Sequence, residues 1–399
     1  MKIAVLIGDG MGDYPLAELG GKTPLQAAAI PNIRRIAAAG ITRLVTTVPA
    51  GLSPGSDVAN LSIMGFDPRK YYTGRAPIEA AGADIAMSPQ DVAFRCNLIT
   101  VENCLIADHS SGHITTTEAR PIVELLEQRL GGNGLRFAVS SSYRHLLIWK
   151  NGPCDVTTTP PHDVLGQPVA KHLPTGGRRE EVIQLMEASI PLLAQHPVNA
   201  ARRAAGKRPA TQIWLWGQGR KTELQSYQDI FGLSGGVISA VDLVRGIGKL
   251  AGLEAAVVPG ATGFTDTNYA GKVQAALDTL KRHDFVFVHV EAPDECSHMG
   301  DRALKISAIE AFDRQIVGPV WQGLQAMGCP YRLIIGTDHC TPVTVRNHTT
   351  DPVPMAIMEG PVKMALAEKP FDESVDGGLS QGLAFEWLQT VLKQAKVEQ

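Results

Sequence analysis

The chain has 399 residues, of which 44% are hydrophobic and 19% are charged, and its formal net charge is −3. This composition excludes disordered and fibrous proteins, and the charge gives no general attraction to nucleic acid or anionic lipid. The length exceeds that at which a single hydrophobic core stops growing, so we expect two domains. Any bound anion must be held by a local site.

The first residues and the cysteines indicate the cellular compartment of the protein. The segment Met1–Gly8 has one lysine and a short apolar run, which is too short for a signal-peptide core or a membrane span. The six cysteines form no C-x-x-C pair, so we expect buried thiols in a reducing compartment rather than a zinc ribbon or a disulfide framework. These features predict a cytoplasmic protein that binds neither nucleic acid nor membrane.

Short apolar runs alternate with helix-like stretches near both ends of the chain. The predicted strands are Ile3–Ile7, Ile213–Trp216, Phe285–Val290 and Leu333–Ile335. The predicted helices are Leu25–Ala39, Val237–Leu250, Lys272–Lys281 and Ile306–Met327. Fully apolar runs suit central strands covered on both faces, so the alternation favours a parallel sheet in a layered α/β fold.

The middle of the chain has a different composition. Residues 67–209 are denser in Pro, Gly, Thr and His, with polar turns at Asn151–Pro153 and Thr175–Gly177. We interpret this segment as an inserted, smaller domain. The catalytic domain would then contain residues 1–66 and 210–399.

The first predicted strand runs directly into Gly8-Asp9-Gly10-Met11-Gly12-Asp13. Open α/β sheets bind ligands at the carboxyl ends of their strands. A dinucleotide loop is disfavoured because its third glycine position is occupied by Asp13. The glycines fit a loop that lets Asp9 reach a cation, and a plain Asx-turn is the alternative.

A serine follows a Pro-Gly turn in Pro54-Gly55-Ser56-Asp57, at the start of a segment with helical character. The turn exposes Ser56, and the first amides of the helix favour a phosphate. We therefore choose Ser56 as the nucleophile, ahead of Ser53 and Ser62. A simple helix N-cap is the alternative role for Ser56.

Two further strands end in candidate metal ligands. After Phe285–Val290, Pro293 can open a helical turn that places Asp294 and His298 on one face, since they are four residues apart. After Leu333–Ile335 come the adjacent pair Asp338 and His339, with His348 nine residues beyond the pair. An acidic turn and ordinary polar histidines are the alternatives for these segments.

Taken together, the strand ends predict a two-metal site. Three apolar strands each deliver an aspartate at the carboxyl end, and three histidines accompany them. Mixed oxygen and nitrogen ligands suit Mn²⁺ or Zn²⁺ better than a calcium cage. Two such ions, about 3.5–4 Å apart, stabilise the attacking and leaving oxygens of phosphoryl transfer.

The combined motifs resemble those of the cofactor-independent phosphoglycerate mutases of the archaeal type, a branch of the alkaline phosphatase superfamily. The resemblance spans nearly the whole chain. It is carried by Gly8-Asp9-Gly10, Gly55-Ser56-Asp57, Ala261-Thr262-Gly263, Asp266-Thr267-Asn268-Tyr269, Pro293-Asp294 with His298, Asp338-His339 and His348. It implies a three-layer α/β/α core of the alkaline phosphatase type with a mainly parallel sheet, plus an inserted α/β domain.

The resemblance also implies a mechanism and a ligand set. One metal would be held by Asp9, Ser56, Asp338 and His339, and the other by Asp294, His298 and His348. Ser56 would take the phosphoryl group from 3-phosphoglycerate and return it to the 2-hydroxyl without bisphosphoglycerate. The implied cofactors are two divalent ions, Mn²⁺ first, with Zn²⁺ or Mg²⁺ as alternatives.

The substrate of that reaction is a small phosphorylated hydroxy acid, which requires local positive charge. Our first candidate for a substrate contact is Arg75, and the second is Lys272. His109, His113 and Arg120 are further candidates, for which a solvated surface position is the alternative.

Two departures from the family pattern leave the acceptor open. Bacterial mutases have Asn before the nucleophile and His four residues after it, whereas this chain has Gly55 and Asn60. Trp216 stands where glycolytic members have an arginine, and it does not grip a carboxylate as a guanidinium does. Similar Trp-Gly-Gln-Gly segments occur in a subgroup proposed as homoserine kinases, so phosphorylation of homoserine is the second hypothesis and a non-catalytic metal-binding scaffold the third.

Overall fold

The chain divides into two compact units in the computed structural model, which describes residues 1–362 and 367–397. The first unit contains Met1–Tyr72 and Leu224–Gln399, and the second unit is Thr73–Glu223. The second unit therefore extends beyond residue 209, the predicted end of the insert. The reason is that the strand following residue 209 pairs within the second unit rather than with the sheet of the first.

Strands are present in both units. Their bounds are β1 Lys2–Gly8, β2 Ile41–Val45, β3 Asp91–Glu102, β4 Leu105–Asp108, β5 Leu135–Ser141, β6 Arg144–Lys150, β7 Gln212–Arg220, β8 Gly235–Ile238, β9 Glu254–Ala255, β10 Phe285–Val290, β11 Tyr331–Gly336 and β12 Val353–Gly360. The predicted strands at Ile3–Ile7, Phe285–Val290 and Leu333–Ile335 are confirmed as β1, β10 and β11.

Helices fill most of the intervals between the strands. The helices are α1 Pro24–Ala27, α2 Pro31–Ala39, α3 Ser56–Ile63, α4 Pro68–Tyr71, α5 Arg75–Gly82, α6 Thr116–Leu130, α7 Arg179–Ala194, α8 Pro197–Ala204, α9 Tyr227–Phe231, α10 Asp242–Leu250, α11 Tyr269–Arg282, α12 Ala292–His298, α13 Arg302–Phe312, α14 Gly318–Ala326 and α15 Ala384–Val397. Short 3₁₀ helices lie at Ala17–Leu19, Pro161–Val164, Val169–Lys171 and Val375–Gly378.

The first unit is built on one mainly parallel sheet. Its strand order is β2-β12-β11-β1-β10-β8-β9, and β12 runs antiparallel to both of its neighbours. In the centre, Ile7 of β1 lies opposite His289 of β10 and Gly336 of β11. The carboxyl ends of these three strands therefore meet at one edge of the sheet.

Helices cover both faces of this sheet. On one face, Leu6 and Val288 belong to a buried cluster with residues of α2, α11 and α13, including Ile33. On the other face, the ring of Phe285 lies 4.8 Å from that of Tyr227, at the start of α9. Alternate residues of each central strand thus enter opposite helix layers, as in strands buried on both sides. The predicted three-layer α/β class is confirmed.

One predicted helix in this unit is interrupted. The predicted helix Leu25–Ala39 is divided because α1 ends at Ala27 and α2 begins at Pro31. Pro31 has no amide hydrogen and disfavours a helical conformation for Ile30, so the first helix does not continue through it.

A second prediction was wrong at its beginning. The segment Val237–Leu250 starts in strand β8 and is helical only from Asp242. Gly236 lets β8 pair closely with β9, because an added Cβ there would lie only 3.0 Å from the main-chain oxygen of Glu254. The pairing of β8 with β9 therefore depends on a residue without a side chain.

The two remaining predicted helices are present with changed bounds. Lys272–Lys281 lies inside α11. Ile306–Met327 is divided into α13 and α14 by a π-helical turn at Asp313–Val317. There the Asp313 carboxylate accepts a hydrogen bond of 2.8 Å from the amide of Ile33, at the start of α2.

The second unit has its own sheet and core. Strands β4, β3, β6 and β5 are neighbours in that order, and β7 pairs with the other side of β3, each pair antiparallel. The predicted strand Ile213–Trp216 is thus part of β7 and does not belong to the parallel sheet. Buried residues of this core include Phe94, Leu126 and Trp214.

Candidate active site

Three carboxylates converge where the central strands of the first unit end. Asp9 follows β1, Asp338 follows β11, and Asp294 lies in α12, directly beyond β10. All three are buried. Burial, and then the charges of Asp338 and Asp294, raise the pKa of Asp9 well above its ordinary value. Such crowding of negative charge is relieved by a bound cation.

The first ligand group contains Asp9, Asp338 and His339, whose ligand atoms lie within 4.8 Å of one another. His339 Nε2 is 3.3 Å from Asp9 Oδ1 and 3.5 Å from Asp338 Oδ2. The hydroxyl of Ser56 is 3.1 Å from the same nitrogen. The structure therefore brings together the four residues predicted for one metal.

Thr341 fixes the orientation of the His339 ring. Its hydroxyl donates to Asp294 Oδ1 at 2.6 Å and lies 3.0 Å from His339 Nδ1. Because its only hydrogen goes to Asp294, the hydroxyl oxygen accepts from the Nδ1–H of His339. Burial lowers the pKa of His339 to about 4, so the ring is neutral at pH 7 and its Nε2 lone pair is available to a ligand.

The second group is built on α12, which begins beside Pro293 as the sequence predicted. His298 Nε2 is 3.1 Å from Asp294 Oδ2 and 3.1 Å from His348 Nε2. His298 Nδ1 donates to the main-chain oxygen of Arg346 at 2.9 Å. The predicted spacing of Asp294 and His298 on one helix face is therefore present, and His348 joins them.

The loop that carries Asp9 depends on glycine. Gly10 has a φ of +60°, and an added Cβ would lie 2.5 Å from Asp294 Oδ1 and 2.7 Å from Thr341 Oγ1. The amide of Gly10 also donates to Asp338 Oδ1 at 3.0 Å. A side chain at this position would enter the space that Asp294 and Thr341 occupy.

Ser56 is the first residue of α3, and the helix N-cap is Gly55. The alternative role of Ser56 as an N-cap is therefore wrong. Asn60, one turn later, donates from Nδ2 to Asp338 Oδ2 and to the main-chain oxygen of Ser56, both at 2.8 Å. Asn60 thus links the head of α3 to a candidate ligand.

Sequence reasoning did not find the roles of Thr341 and Asn60. The one available signal for Asn60 was its departure from the bacterial motif. Thr341 gave no signal, because its partners Asp294 and His339 are brought to it only by the folded strand ends.

A buried charged network lies behind Asp9. His289 Nε2 is 3.5 Å from Asp9 Oδ2, and its Nδ1 is 3.4 Å from Glu291 Oε1. Lys272 Nζ donates to Glu291 Oε2 at 3.0 Å and to the main-chain oxygen of His289 at 2.9 Å. Lys272 is 0% exposed. The predicted substrate contact of Lys272 is therefore contradicted, since its ammonium is bound inside the unit.

The other substrate candidates lie in the second unit. Arg75 begins α5 and its Nε donates to Glu79 Oε1 at 2.8 Å. His109 is half-buried, with its ring 5.4 Å from that of Tyr143. His113 and Arg120 are exposed, as their alternative surface role expects.

Arg95 was missed by the sequence analysis. It is buried in β3, its Nε is 3.1 Å from Glu79 Oε2, and its guanidinium carbon is 4.5 Å from the centre of the Trp216 ring. Trp216 donates from Nε1 to Asn97 Oδ1 at 3.2 Å. A charged residue inside the apolar run of β3 was the signal that could have identified Arg95.

The residues present fit divalent metal ions. Asp9 Oδ1 is buried and has no hydrogen-bond partner among the described residues. His339 presents the Nε2 lone pair next to it, and the Nε2 atoms of His298 and His348 face each other beside Asp294. Imidazole nitrogens and carboxylates brought together in this way are a donor set that divalent first-row metal ions bind.

The α/β fold and the site at the carboxyl edge of its parallel sheet together define a class of protein. This class is the α/β enzymes whose chemistry depends on convergent carboxylates and imidazoles. Residues 37–199 match the model of the family described as 2,3-bisphosphoglycerate-independent phosphoglycerate mutase. A protein of that name from Methanothrix thermoacetophila is 51% identical over 358 residues, which cover 90% of each chain. The chain belongs to the 2,3-bisphosphoglycerate-independent phosphoglycerate mutase family.

Solved structures share the fold. The PH0037 protein from Pyrococcus horikoshii is 30% identical, with a TM-score of 0.79 and coverage of 98% of this chain and 97% of that one. A cofactor-independent phosphoglycerate mutase from Thermoplasma acidophilum is 24% identical, with a TM-score of 0.62 and coverage of 99% and 100%. Among the described residues, no helix combines the length and apolar character that a membrane crossing requires.

Proposed function

We propose that this chain interconverts 3-phosphoglycerate and 2-phosphoglycerate through a phosphoserine at Ser56, without bisphosphoglycerate. The observation that carries the proposal is the position of Ser56. Its hydroxyl lies 3.1 Å from His339 Nε2, at the head of a helix and beside the crowded carboxylates. The reaction is an isomerisation by phosphoryl transfer within glycolysis or gluconeogenesis.

Two divalent ions would be held by the two ligand groups, with Mn²⁺ as our first choice and Zn²⁺ or Mg²⁺ as alternatives. Asp9, Ser56, Asp338 and His339 would hold one ion, and Asp294, His298 and His348 the other. When bound, such ions supply positive charge beside the transferring phosphoryl group and favour ionisation of a nearby hydroxyl.

The residues of the chain position the nucleophile and the phosphoryl group. Asn60 ties the main chain of Ser56 to Asp338, so the hydroxyl is held next to the candidate ligands. Amides at the head of a helix favour an anion, and in α3 the amide of Val58 already donates to Asp57 Oδ1 at 2.9 Å. The bond from phosphorus to the 3-oxygen breaks as the bond to Ser56 Oγ forms, and the proton lost by Oγ is gained by the 3-oxygen. The reverse exchange then delivers the phosphoryl group to the 2-oxygen.

The second unit would supply the positive charge that recognises the substrate. Arg75 and Arg95 both contact the carboxylate of Glu79, so two guanidinium groups lie close together. Guanidinium groups are suited to binding a phosphate or a carboxylate. We assign the substrate-binding role of the insert first to these two arginines, with His109, His113 and Arg120 as further candidates.

The homoserine alternative is not favoured. The relative that is 51% identical carries the mutase name. The second unit still has a cation beside Trp216, because the guanidinium of Arg95 lies over its ring.

The test is a reaction with 3-phosphoglycerate alone, followed by phosphorus NMR. Metal-loaded protein should form 2-phosphoglycerate without any nucleotide or bisphosphoglycerate, and prolonged chelation should abolish the reaction. Product formed only with homoserine and a phosphoryl donor would contradict the proposal.

A further inference from the structure

His289 lies inside the first unit, beside the ligand group of Asp9 and Asp338. It is the fifth residue of β10, is 0% exposed, and pairs in register with Ile7 of β1. The sequence motifs did not single it out, and the proposed phosphoryl transfer does not use it. A histidine in the centre of an apolar strand requires a reason, because a buried polar ring without good hydrogen bonds is costly.

Both sides of the ring face carboxylates. Nε2 lies 3.5 Å from Asp9 Oδ2 and 3.6 Å from Asp338 Oδ2. Nδ1 lies 3.4 Å from Glu291 Oε1. Neither ring nitrogen makes a regular hydrogen bond to a described residue. The ring therefore spans the distance between the ligand carboxylates and a third, non-ligand carboxylate.

Glu291 is held firmly on the far side of the ring. Its Oε1 accepts hydrogen bonds from the hydroxyl of Ser239 at 2.7 Å and the amide of Ala240 at 3.1 Å. Its Oε2 accepts from Lys272, which also donates to the main-chain oxygen of His289. Lys272 is 0% exposed and Glu291 is 3% exposed. Replacing a buried ion pair by apolar residues of the same size is often neutral, so packing alone does not account for this pair.

We propose that His289 is a positioning residue that orients the carboxylates of Asp9 and Asp338 for metal binding, and that the Glu291–Lys272 pair holds its ring in place. Partners of this kind, one contact removed from the ion, strengthen metal binding by fixing the direction of the ligand atoms. The inference rests on the proposed function, because it assumes that Asp9 and Asp338 bind an ion.

Two substitutions of His289 distinguish the contacts of Nε2 from the contact of Nδ1. His289→Gln keeps an amide nitrogen near the position of Nε2, whereas His289→Asn keeps one near Nδ1 and removes the contact with Asp9 and Asp338. We expect His289→Asn to weaken binding of Mn²⁺ to the metal-free protein by about 10- to 100-fold, and His289→Gln by only a few-fold. Calorimetric titration with Mn²⁺, with the number of bound ions checked by elemental analysis, measures both.

The matched control is His145→Asn, because His145 is also a buried histidine within a strand but lies in the second unit. It should leave Mn²⁺ affinity unchanged. Thermal unfolding of each metal-free variant reports whether the fold survives. Mn²⁺ affinity of folded His289→Asn equal to that of the unsubstituted protein would overturn the proposal, as would equal losses in the Asn and Gln variants. If the unsubstituted protein binds none of Mn²⁺, Zn²⁺ and Mg²⁺, the proposed function fails instead.

Discussion

At the scale of the residue, ring orientation decides which nitrogen atoms are available to an ion. The Nδ1 atoms of His339 and His298 are both occupied, one by Thr341 and the other by the main-chain oxygen of Arg346. Arg346 has a φ of +58°, an unusual conformation for a residue with a side chain, and its carbonyl reaches His298. The Nε2 atoms are thereby directed at the carboxylates by bonds that do not involve an ion.

Binding of an ion at Asp294, His298 and His348 should release a proton. Burial lowers the pKa of His298, but the carboxylate of Asp294 raises it more strongly. The resulting pKa is about 9 in the metal-free protein, so the ring is protonated at pH 7. An ion requires the neutral ring, and its affinity should therefore rise up to about tenfold per pH unit until pH 9. Calorimetry at pH 7 in buffers of different ionisation enthalpy should report release of about one proton for this ion.

Removal of the ring is the control for that measurement. His298→Gln should bind this ion more weakly. It should also not release the proton that His298 loses in the unsubstituted protein. Affinity that does not change between pH 6 and pH 8 in the unsubstituted protein would contradict the account.

At the scale of the element, a buried lysine joins the loops that carry the ligands. Lys305 of α13 donates to Asp13 Oδ2 at 2.8 Å and to the main-chain oxygens of Gly12 and Thr341, each at 3.0 Å. Lys305 and Asp13 are both 0% exposed at their side chains. The loop that carries Asp9 and the loop that carries His339 are thus bonded to the same helix.

Replacing this lysine should destabilise the first unit. Lys305→Met leaves the Asp13 carboxylate buried without its partner, and the free energy of unfolding should fall by about 3–5 kcal/mol. Urea unfolding measures the change. Lys281→Met, at the exposed Lys281–Asp278 pair, should change it by less than about 1 kcal/mol. Equal effects of the two substitutions would contradict the role of Lys305.

The elements that bear the candidate ligands were predictable because their strands are continuous apolar runs that end in polar residues. Glycine-containing β8 was assigned to a helix, since its short apolar run gives no periodicity that distinguishes the two. The positions of Thr341, His289 and Lys305 were not predictable, because each acts through residues distant in the chain.

At the scale of the whole molecule, the chain leaves the first unit once and returns to it once. The hydroxyl of Thr73 donates to the main-chain oxygen of Arg220 at 2.7 Å and lies 2.8 Å from the hydroxyl of Thr222. The two ends of the second unit are therefore adjacent. Its sheet and core, with Phe94 and Trp214 buried, are formed from its own residues.

The second unit should fold alone. A polypeptide of residues 73–223 should unfold cooperatively on heating, because it retains its complete sheet and core, and circular dichroism measures the transition. It should bind no Mn²⁺, since the proposed ligands lie in the first unit. A polypeptide of residues 73–209, which lacks β7, is the matched control and should not unfold cooperatively. Loss of the transition from the longer polypeptide would contradict this division of the chain.

The central claim is that Ser56 carries the phosphoryl group during the reaction. Metal-loaded protein mixed with 3-phosphoglycerate, quenched rapidly and analysed by intact mass and peptide mass spectrometry, should contain one phosphoryl group on Ser56. Ser53→Ala, an exposed neighbour, should behave in the same way. Ser56→Ala should remain folded, form no phosphoenzyme and produce no 2-phosphoglycerate. Phosphorylation of another residue, or production of 2-phosphoglycerate by Ser56→Ala, would contradict the account.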